Sequence, residues 1–320
     1  MYDYFMREKV YQKFIIGCEN PLEALKKGLG GVIFFAKDIC SKEQVISQIN
    51  EYKRDALITP FISIDQEGGR VERTEALRPK RLSAKYAYEK GEAFLKSQSE
   101  EISNELAELG FNLNFAPCVD VNTNSLNPII AERAFANNPS DVIKGAKIFI
   151  DASRKFGVIP CIKHFPGHGD ADKDSHLTLP EINLKFEEMK ALHIKPFETL
   201  VKEEVEMVMI AHLHCTCFDD EVLPTSLSRN AVGYLRNELE YDGVVITDDM
   251  NMKGVQDFGS LEACVMAIKA GVDMFIFRSS DNKTLNLMEK LVKEVEQNDE
   301  LRLLVDDSNR RIASLKKKFL

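Results

Sequence analysis

Val158-Ile159-Pro160-Cys161-Ile162-Lys163-His164-Phe165-Pro166-Gly167-His168-Gly169-Asp170 joins two unlike segments. The first five residues are apolar and read as a strand buried on both faces. The rest, continuing through Ala171-Asp172-Lys173-Asp174-Ser175-His176, is rich in charge, histidine and glycine. Each of those charges would cost several kcal/mol if buried unpaired, so this part is a loop. A rigid strand that delivers a polar loop from its C-terminal end is where catalytic groups usually sit.

The same unit recurs along the chain. Eight apolar runs read as strands: Lys13–Gly17, Gly31–Ala36, Pro60–Asp65, Asn112–Pro117, Val158–His164, Glu206–His212, Gly243–Asp248 and Val272–Phe277. Helical patterns lie between most of them, at Glu43–Lys53, Phe94–Leu109, Asp141–Phe156, Phe186–Glu203, Arg229–Leu239 and Leu261–Ala270. Near-continuous apolar strands alternating with amphipathic helices predict a parallel sheet covered by helices. Eight units in 320 residues fit a single (β/α)8 TIM-type barrel over residues 1–320 better than an open doubly wound sheet. The strand ends agree. Asp65, Asp120, Lys163 with His164, His212, Asp248 with Asp249, and Arg278 would converge on one barrel face, whereas an open sheet would set them in a row. The last helix, Leu301 to Phe319, ends in Lys316-Lys317-Lys318, read as a solvated terminus that complements the helix dipole.

Composition narrows the function. Forty-two Lys and Arg against 51 Asp and Glu give a net charge of −9, which argues against nucleic acid or anionic membrane as a partner. No run of about 18 apolar residues offers a membrane span, and the stretch Met1–Lys9 lacks the apolar core of a signal peptide. Seven scattered cysteines, an odd count, fit reduced thiols in a cytoplasm better than a disulfide framework. No motif specifies an oligomeric state.

Four constellations carry chemistry. In Ile64-Asp65-Gln66-Glu67-Gly68-Gly69-Arg70-Val71-Glu72-Arg73, Asp65 offers acceptors and Arg70 and Arg73 offer planar donors suited to a ring of sugar hydroxyls. A loop salt-bridge cluster is the alternative. On the loop after Lys163 and His164, Asp174 lies two residues from His176; a carboxylate there would orient the imidazole and make it a proton donor near neutral pH. Gly167 and Gly169 would let that loop move over a ligand, while His168 reads as a loop-stabilising hydrogen bonder. Gly243–Met250 is a strand ending in Asp248-Asp249, of which alternation predicts that only one faces the barrel mouth. A carboxylate facing a proton donor from another loop is the arrangement for glycoside cleavage. The other aspartate would cap the next helix. Finally, His212-Leu213-His214-Cys215-Thr216-Cys217 contains zinc-type ligands, but its spacing matches no standard site and it reads as satisfied strand-end residues.

Together these segments resemble glycoside hydrolase family 3. The resemblance rests on Lys163–Asp170 followed by Asp174-Ser175-His176, on Ile64–Val71 and Ile246–Met250, on Phe115–Val121, on Glu132–Phe135 and on the closing Val305–Ile312. It covers almost the whole chain, in order, and the Asp-Ser-His element is similar to the β-N-acetylglucosaminidase branch that acts in peptidoglycan recycling. The resemblance implies Asp248 as nucleophile, His176 as acid/base and Asp174 as its orienting partner. It further implies Asp65, Arg73, Arg133, Lys163 and His164 as the holders of an N-acetylglucosamine unit, with no metal and no organic cofactor. The expected activity is retaining removal of terminal N-acetylglucosamine from muropeptides. The alternatives are a phosphorylase, since an imidazole acid/base tolerates a phosphate acceptor, a non-catalytic sugar-binding barrel, and a metal-dependent hydrolase using the His/Asp-rich loop. Ala171 stands where the family often has Thr, and the His212–Cys217 stretch is more polar and thiol-rich than usual. The chain also ends soon after the predicted barrel, as in members without a C-terminal extension.

Overall fold

Alternation along the apolar runs decides which residues fill the inside. Ile15, Phe61, Leu113, Ile159, Cys161, Met207, Val244, Ile246 and Met274 pack with one another in one buried cluster. Their strand neighbours Phe14, Ile16, Ile62, Ile162, Val208, Val245 and Phe275 belong to a second cluster shared with the helices. Two buried faces per strand are what a closed parallel sheet under a helical coat requires.

The computed structural model describes residues 2–171 and 179–320, with side chains from Phe5 onward. Its strands in chain order are β1 (Phe14–Gly17), β2 (Gly31–Phe34), β3 (Phe61–Ile64), β4 (Leu113–Asn114), β5 (Ile159–Phe165), β6 (Glu181–Ile182), β7 (Met207–Ile210), β8 (His214–Cys215), β9 (Val244–Asp249) and β10 (Met274–Phe277). Eight of them close in the order β1-β10-β9-β7-β5-β4-β3-β2, with every ladder parallel. All eight predicted runs contribute one barrel strand each. β6 and β8 form a separate two-stranded sheet, which the sequence reading did not anticipate.

Helix boundaries follow local chemistry. Ser41 caps the helix Lys42–Asp55, and Asn138 caps Pro139–Lys155, each accepting a first-turn N–H. The predicted helix Phe186–Glu203 runs through a π-turn at Lys190–Ile194 before continuing as Lys195–Val201. Pro196 explains this: it lacks an N–H and crowds the preceding turn, and the wider turn accommodates both defects.

The last helix, Asp299–Phe319, plugs the barrel floor. Ile312 and Leu315 join the interior cluster, and Phe319 packs against it. Lys316 goes with them. It is 8% exposed, and its ammonium donates to Gln12 Oε1 at 2.8 Å and to the Gly30 carbonyl at 3.1 Å, over the ring of Phe61. The Lys316–Lys318 run is therefore not a solvated tail as expected. Helical phase places Lys316 four residues after Ile312 and three before Phe319, on the buried face. Lys318 stays exposed and pairs with Glu206.

Candidate active site

The inward phase of three strands carries past their ends into the mouth. Ile159 and Cys161 lead to Lys163, Val244 and Ile246 lead to Asp248, and Phe61 and Ser63 lead to Asp65. These residues line a pocket of about 380 Å³ together with Arg73, Arg133 and His164. The structure thus brings together the nucleophile candidate and every predicted sugar-holding residue. Asp174 and His176 lie outside the described residues.

Strict alternation would have turned His164 and Asp249 away from this pocket, yet both line it. The ladders show how. The register shifts between Ile162 and Phe165 where β5 meets β7, and between Met274 and Ile276 where β10 meets β9. An irregularity of this kind re-aims side chains at a strand end. The expectation that only one of Asp248 and Asp249 reaches the mouth is corrected accordingly.

The two aspartates differ in what they hold. Asp249 Oδ1 accepts from the Asn251 backbone and side chain at 3.0 Å each, and its Oδ2 lies 3.3 Å from Arg278 Nε. Among the described residues, Asp248 Oδ1 accepts only the following backbone N–H, at 2.7 Å. Burial pushes the Asp248 carboxyl up, but His164 and His212 outweigh it and hold it below the usual value. Asp249 goes the other way, raised by burial and by the charge of Asp248 despite its hydrogen bonds. Asp248 is thus the more acidic of the two and, among the described residues, the less committed.

A network of buried ions frames it. Lys163 Nζ donates to Asp65 Oδ1 and to Glu67 Oε1, both at 2.7 Å. Glu67 also takes a two-pronged contact from Arg133, at 2.8 and 2.9 Å. Burial works against the ionised form of Lys163, Glu67 and Arg133, and their partners reverse it: Lys163 and Arg133 are raised, and Glu67 is held far below the carboxylate range. His164 Nδ1 lies 2.7 Å from Asp120 Oδ2, which fixes the ring with Nε2 toward Arg133 at 3.3 Å. Asp120 further accepts the His168 backbone N–H at 2.6 Å and the Cys118 thiol at 3.2 Å. Cys118, Asp120 and His164 are close enough to share a cation, but their donor atoms are already spent on one another.

Glu67 and Asp120 were not among the predicted site residues. A signal existed for Glu67, which shares the phase of Asp65 two residues earlier. Asp120 acts from under His164, and only the folded sheet reveals that.

Arg70 lines the pocket, and its two terminal nitrogens also donate to the carbonyls of Pro128 and Ile129 at 2.7 Å each, clamping a neighbouring loop. Arg73 has its Nε buried without a partner among the described residues, and its guanidinium lies over the ring of Phe35. Among the described residues the two ring nitrogens of His168 have no partner; its backbone ties the loop, and burial holds the imidazole neutral with a pKa lowered to about 4. Gly167 and Gly169 both sit in close packing. A Cβ on Gly167 would strike His193, and one on Gly169 would overlap the Val121 carbonyl.

Around His212–Cys217 the polar groups find separate partners. His212 Nδ1 lies 2.7 Å from Ser226 Oγ, His214 Nδ1 lies 3.4 Å from the Leu223 carbonyl, and the Cys215 and Cys217 sulfurs are 3.3 Å apart. They do not converge as one set of ligands.

Residues 6–315 match the model for the glycosyl hydrolase family 3 N-terminal domain. The chain is 33% identical to beta-hexosaminidase A of Pseudoalteromonas piscicida, covering 91% of this chain and 54% of that protein. It is 32% identical to a beta-hexosaminidase of Methylococcus capsulatus, covering 89% and 84%. The chain thus spans about half the length of the first relative and most of the second. Among solved structures, a family 3 beta-N-acetylglucosaminidase from Paenibacillus superimposes with a TM-score of 0.90 at 31% identity, over 97% of this chain and 62% of that one. LpqI of M. tuberculosis gives 0.87 at 26% identity, over 97% and 93%.

Proposed function

The chain belongs to glycosyl hydrolase family 3, and from that premise we propose that it is a retaining exo-β-N-acetylglucosaminidase, acting on peptidoglycan fragments as one catalytic barrel over residues 1–320. The observation that carries the reading is Asp248, a carboxylate held below its usual range at a barrel strand end, bonded among the described residues only to a backbone N–H and sharing its pocket with the charged Lys163. A sugar oxocarbenium-like transition state needs such an anion at its anomeric carbon.

Asp248 attacks the anomeric carbon and forms a covalent glycosyl-enzyme. His176, oriented by Asp174, gives its proton to the leaving oxygen as the glycosidic bond breaks. It then takes a proton from the incoming water, and Asp248 leaves. Lys163, Arg133, His164, Asp65 and Arg73 hold the sugar hydroxyls. Because Lys163 and Arg133 are pinned by Glu67, they meet the sugar in fixed positions, which limits the ordering entropy lost on binding. An imidazole acid/base repels an anionic aglycone less than a second carboxylate would, which supports a carboxylate-bearing muropeptide. The free cysteines support a reducing compartment such as the cytoplasm, and no described helix is long and apolar enough to cross a membrane.

The test is a panel of aryl β-glycosides of N-acetylglucosamine, N-acetylgalactosamine and glucose, with the first product anomer followed by NMR. N-acetylglucosaminide should turn over fastest and yield the β-anomer first. An α-anomer as first product would overturn the retaining mechanism, and accumulation of a sugar 1-phosphate in phosphate buffer would make the protein a phosphorylase.

A further inference from the structure

Cys215 and Cys217 take no part in the chemistry above. Cys215 closes β8 and is buried, while Cys217 is half-buried in the turn that follows. Their sulfurs are 3.3 Å apart, inside van der Waals contact. The Cys215 thiol can donate to Cys217, which holds the pKa of Cys217 below that of an ordinary cysteine, whereas the same hydrogen bond and burial raise Cys215. A partly exposed thiol of lowered pKa beside a resolving thiol is the arrangement of peroxide-sensitive cysteines. The five remaining cysteines differ: Cys18, Cys118, Cys161 and Cys264 are buried, and Cys40 is exposed but has no thiol partner.

The surroundings link this pair to the catalytic side of the barrel. Thr216, the residue between the two thiols, donates its N–H to the Ile182 carbonyl at 3.1 Å and its hydroxyl to Asn183 Oδ1 at 3.1 Å. His214 donates to the Pro180 carbonyl at 2.8 Å. These bonds tie β8 to β6, the first strand after residues 172–178, which carry Asp174 and His176. On the far side, Phe218 is fixed in an aromatic trio with Phe186 and Tyr234. A disulfide would have to draw the sulfurs to about 2.05 Å. With Phe218 held, that movement falls on Thr216 and hence on its bonds to β6.

We infer that Cys215 and Cys217 form an oxidation site for hydroperoxides, closing to an intramolecular disulfide that loosens the hold of β8 on β6 and slows glycoside turnover. The Cys217 thiolate attacks the distal peroxide oxygen, breaking the O–O bond and releasing alcohol or water. The resulting sulfenic acid is displaced by the Cys215 sulfur with loss of water. Overall two thiols are oxidised by two electrons, and one hydroperoxide is reduced to one alcohol and one water. The effect on turnover rests on the function proposed above; formation of the disulfide does not.

The experiment treats the full chain with stoichiometric hydrogen peroxide and maps its peptides by mass spectrometry beside an aryl N-acetylglucosaminide assay. The expected product is a single Cys215–Cys217 crosslink, two hydrogens lighter, reversed by dithiothreitol and absent in Cys217→Ser. Oxidised wild type should turn over several-fold more slowly, and Cys217→Ser should keep its rate under peroxide. Both thiols remaining alkylatable, or Cys217 advancing to sulfinic acid with Cys215 still reduced, would overturn the site. A crosslink with an unchanged rate would overturn its coupling to β6. A protein inactive before oxidation that still forms the crosslink would refute the glycosidase reading and leave the oxidation site standing.

Discussion

Lys163 at the mouth and Lys316 at the floor are both buried lysines in the same barrel, and they have opposite fates. Lys163 has two carboxylates at 2.7 Å, and its pKa is raised. Lys316 has an amide oxygen, a carbonyl and an aromatic ring, and burial pushes it down to about 7. Lys13, also at the floor, is fully buried with no hydrogen-bond partner among the described residues and is lowered to about 7 in the same way. Asp273, whose charge favours the ionised Lys13, is already paired with Arg236 and Arg311. The mouth spends carboxylates to keep cations charged where a ligand will meet them. At the floor Asp273 serves the two arginines, and Lys13 and Lys316 are buried without a carboxylate at hydrogen-bond distance among the described residues, so desolvation lowers them.

The comparison breaks most sharply at Asp248. Asp248→Asn should remove turnover, by well over about 10³-fold, with an unaltered melting transition. A fluoroglycosyl donor should label Asp248 in the native enzyme; label on Asp249 would show that the committed carboxylate is the reactive one.

Glu67→Gln attacks the mouth through its pinning anion. Removing one partner of a buried ion pair costs about 3–5 kcal/mol, so denaturant unfolding should register a loss of that order. A change below about 1 kcal/mol would mean that Asp65 alone suffices for Lys163. Lys163→Ala should cost about 1.5–3 kcal/mol in kcat/KM for each charged hydrogen bond to the sugar. Unchanged kinetics would remove Lys163 from the subsite.

Lys316→Met is the smallest effect and has the opposite sign. Folding lowers this lysine from its ordinary 10.5 to about 7, so between those values the unfolded chain binds more protons and the wild type gains stability as pH rises. The variant should be more stable than wild type by about 1–2 kcal/mol near pH 6, with the gap narrowing as pH climbs toward 10. A gap that widens with pH, in chemical denaturation at matched ionic strength, would mean that the floor lysine is paired after all.

The same contrast explains what was legible in the sequence. The eight strands stood out because a parallel sheet buried on both faces needs near-continuous apolar runs. Asp65, Lys163 and Asp248 followed because they extend those runs in the inward phase. His164 and Asp249 escaped strict alternation through register shifts that depend on the neighbouring strand. Glu67 meets Arg133 across 66 residues of chain, a pairing no local pattern encodes. Lys316 was misread because a lysine run at a helix end is usually solvated, although its phase with Ile312 already pointed inward.

The floor plug also bears on how the molecule is made. Lys316 reaches back to Gln12, Asn309 Nδ2 donates to the Lys9 carbonyl, and β10 completes the ring only by pairing with β1. Segments emerging first during synthesis therefore wait for segments nearly three hundred residues later before their ladder and core are complete. Assembly is gated by long-range closure, so the nascent chain passes through an interval with β1 unpaired on one edge and the floor open. That edge of β1 is open to pairing with other strands until β10 arrives, and the floor stays open until the helix Asp299–Phe319 packs.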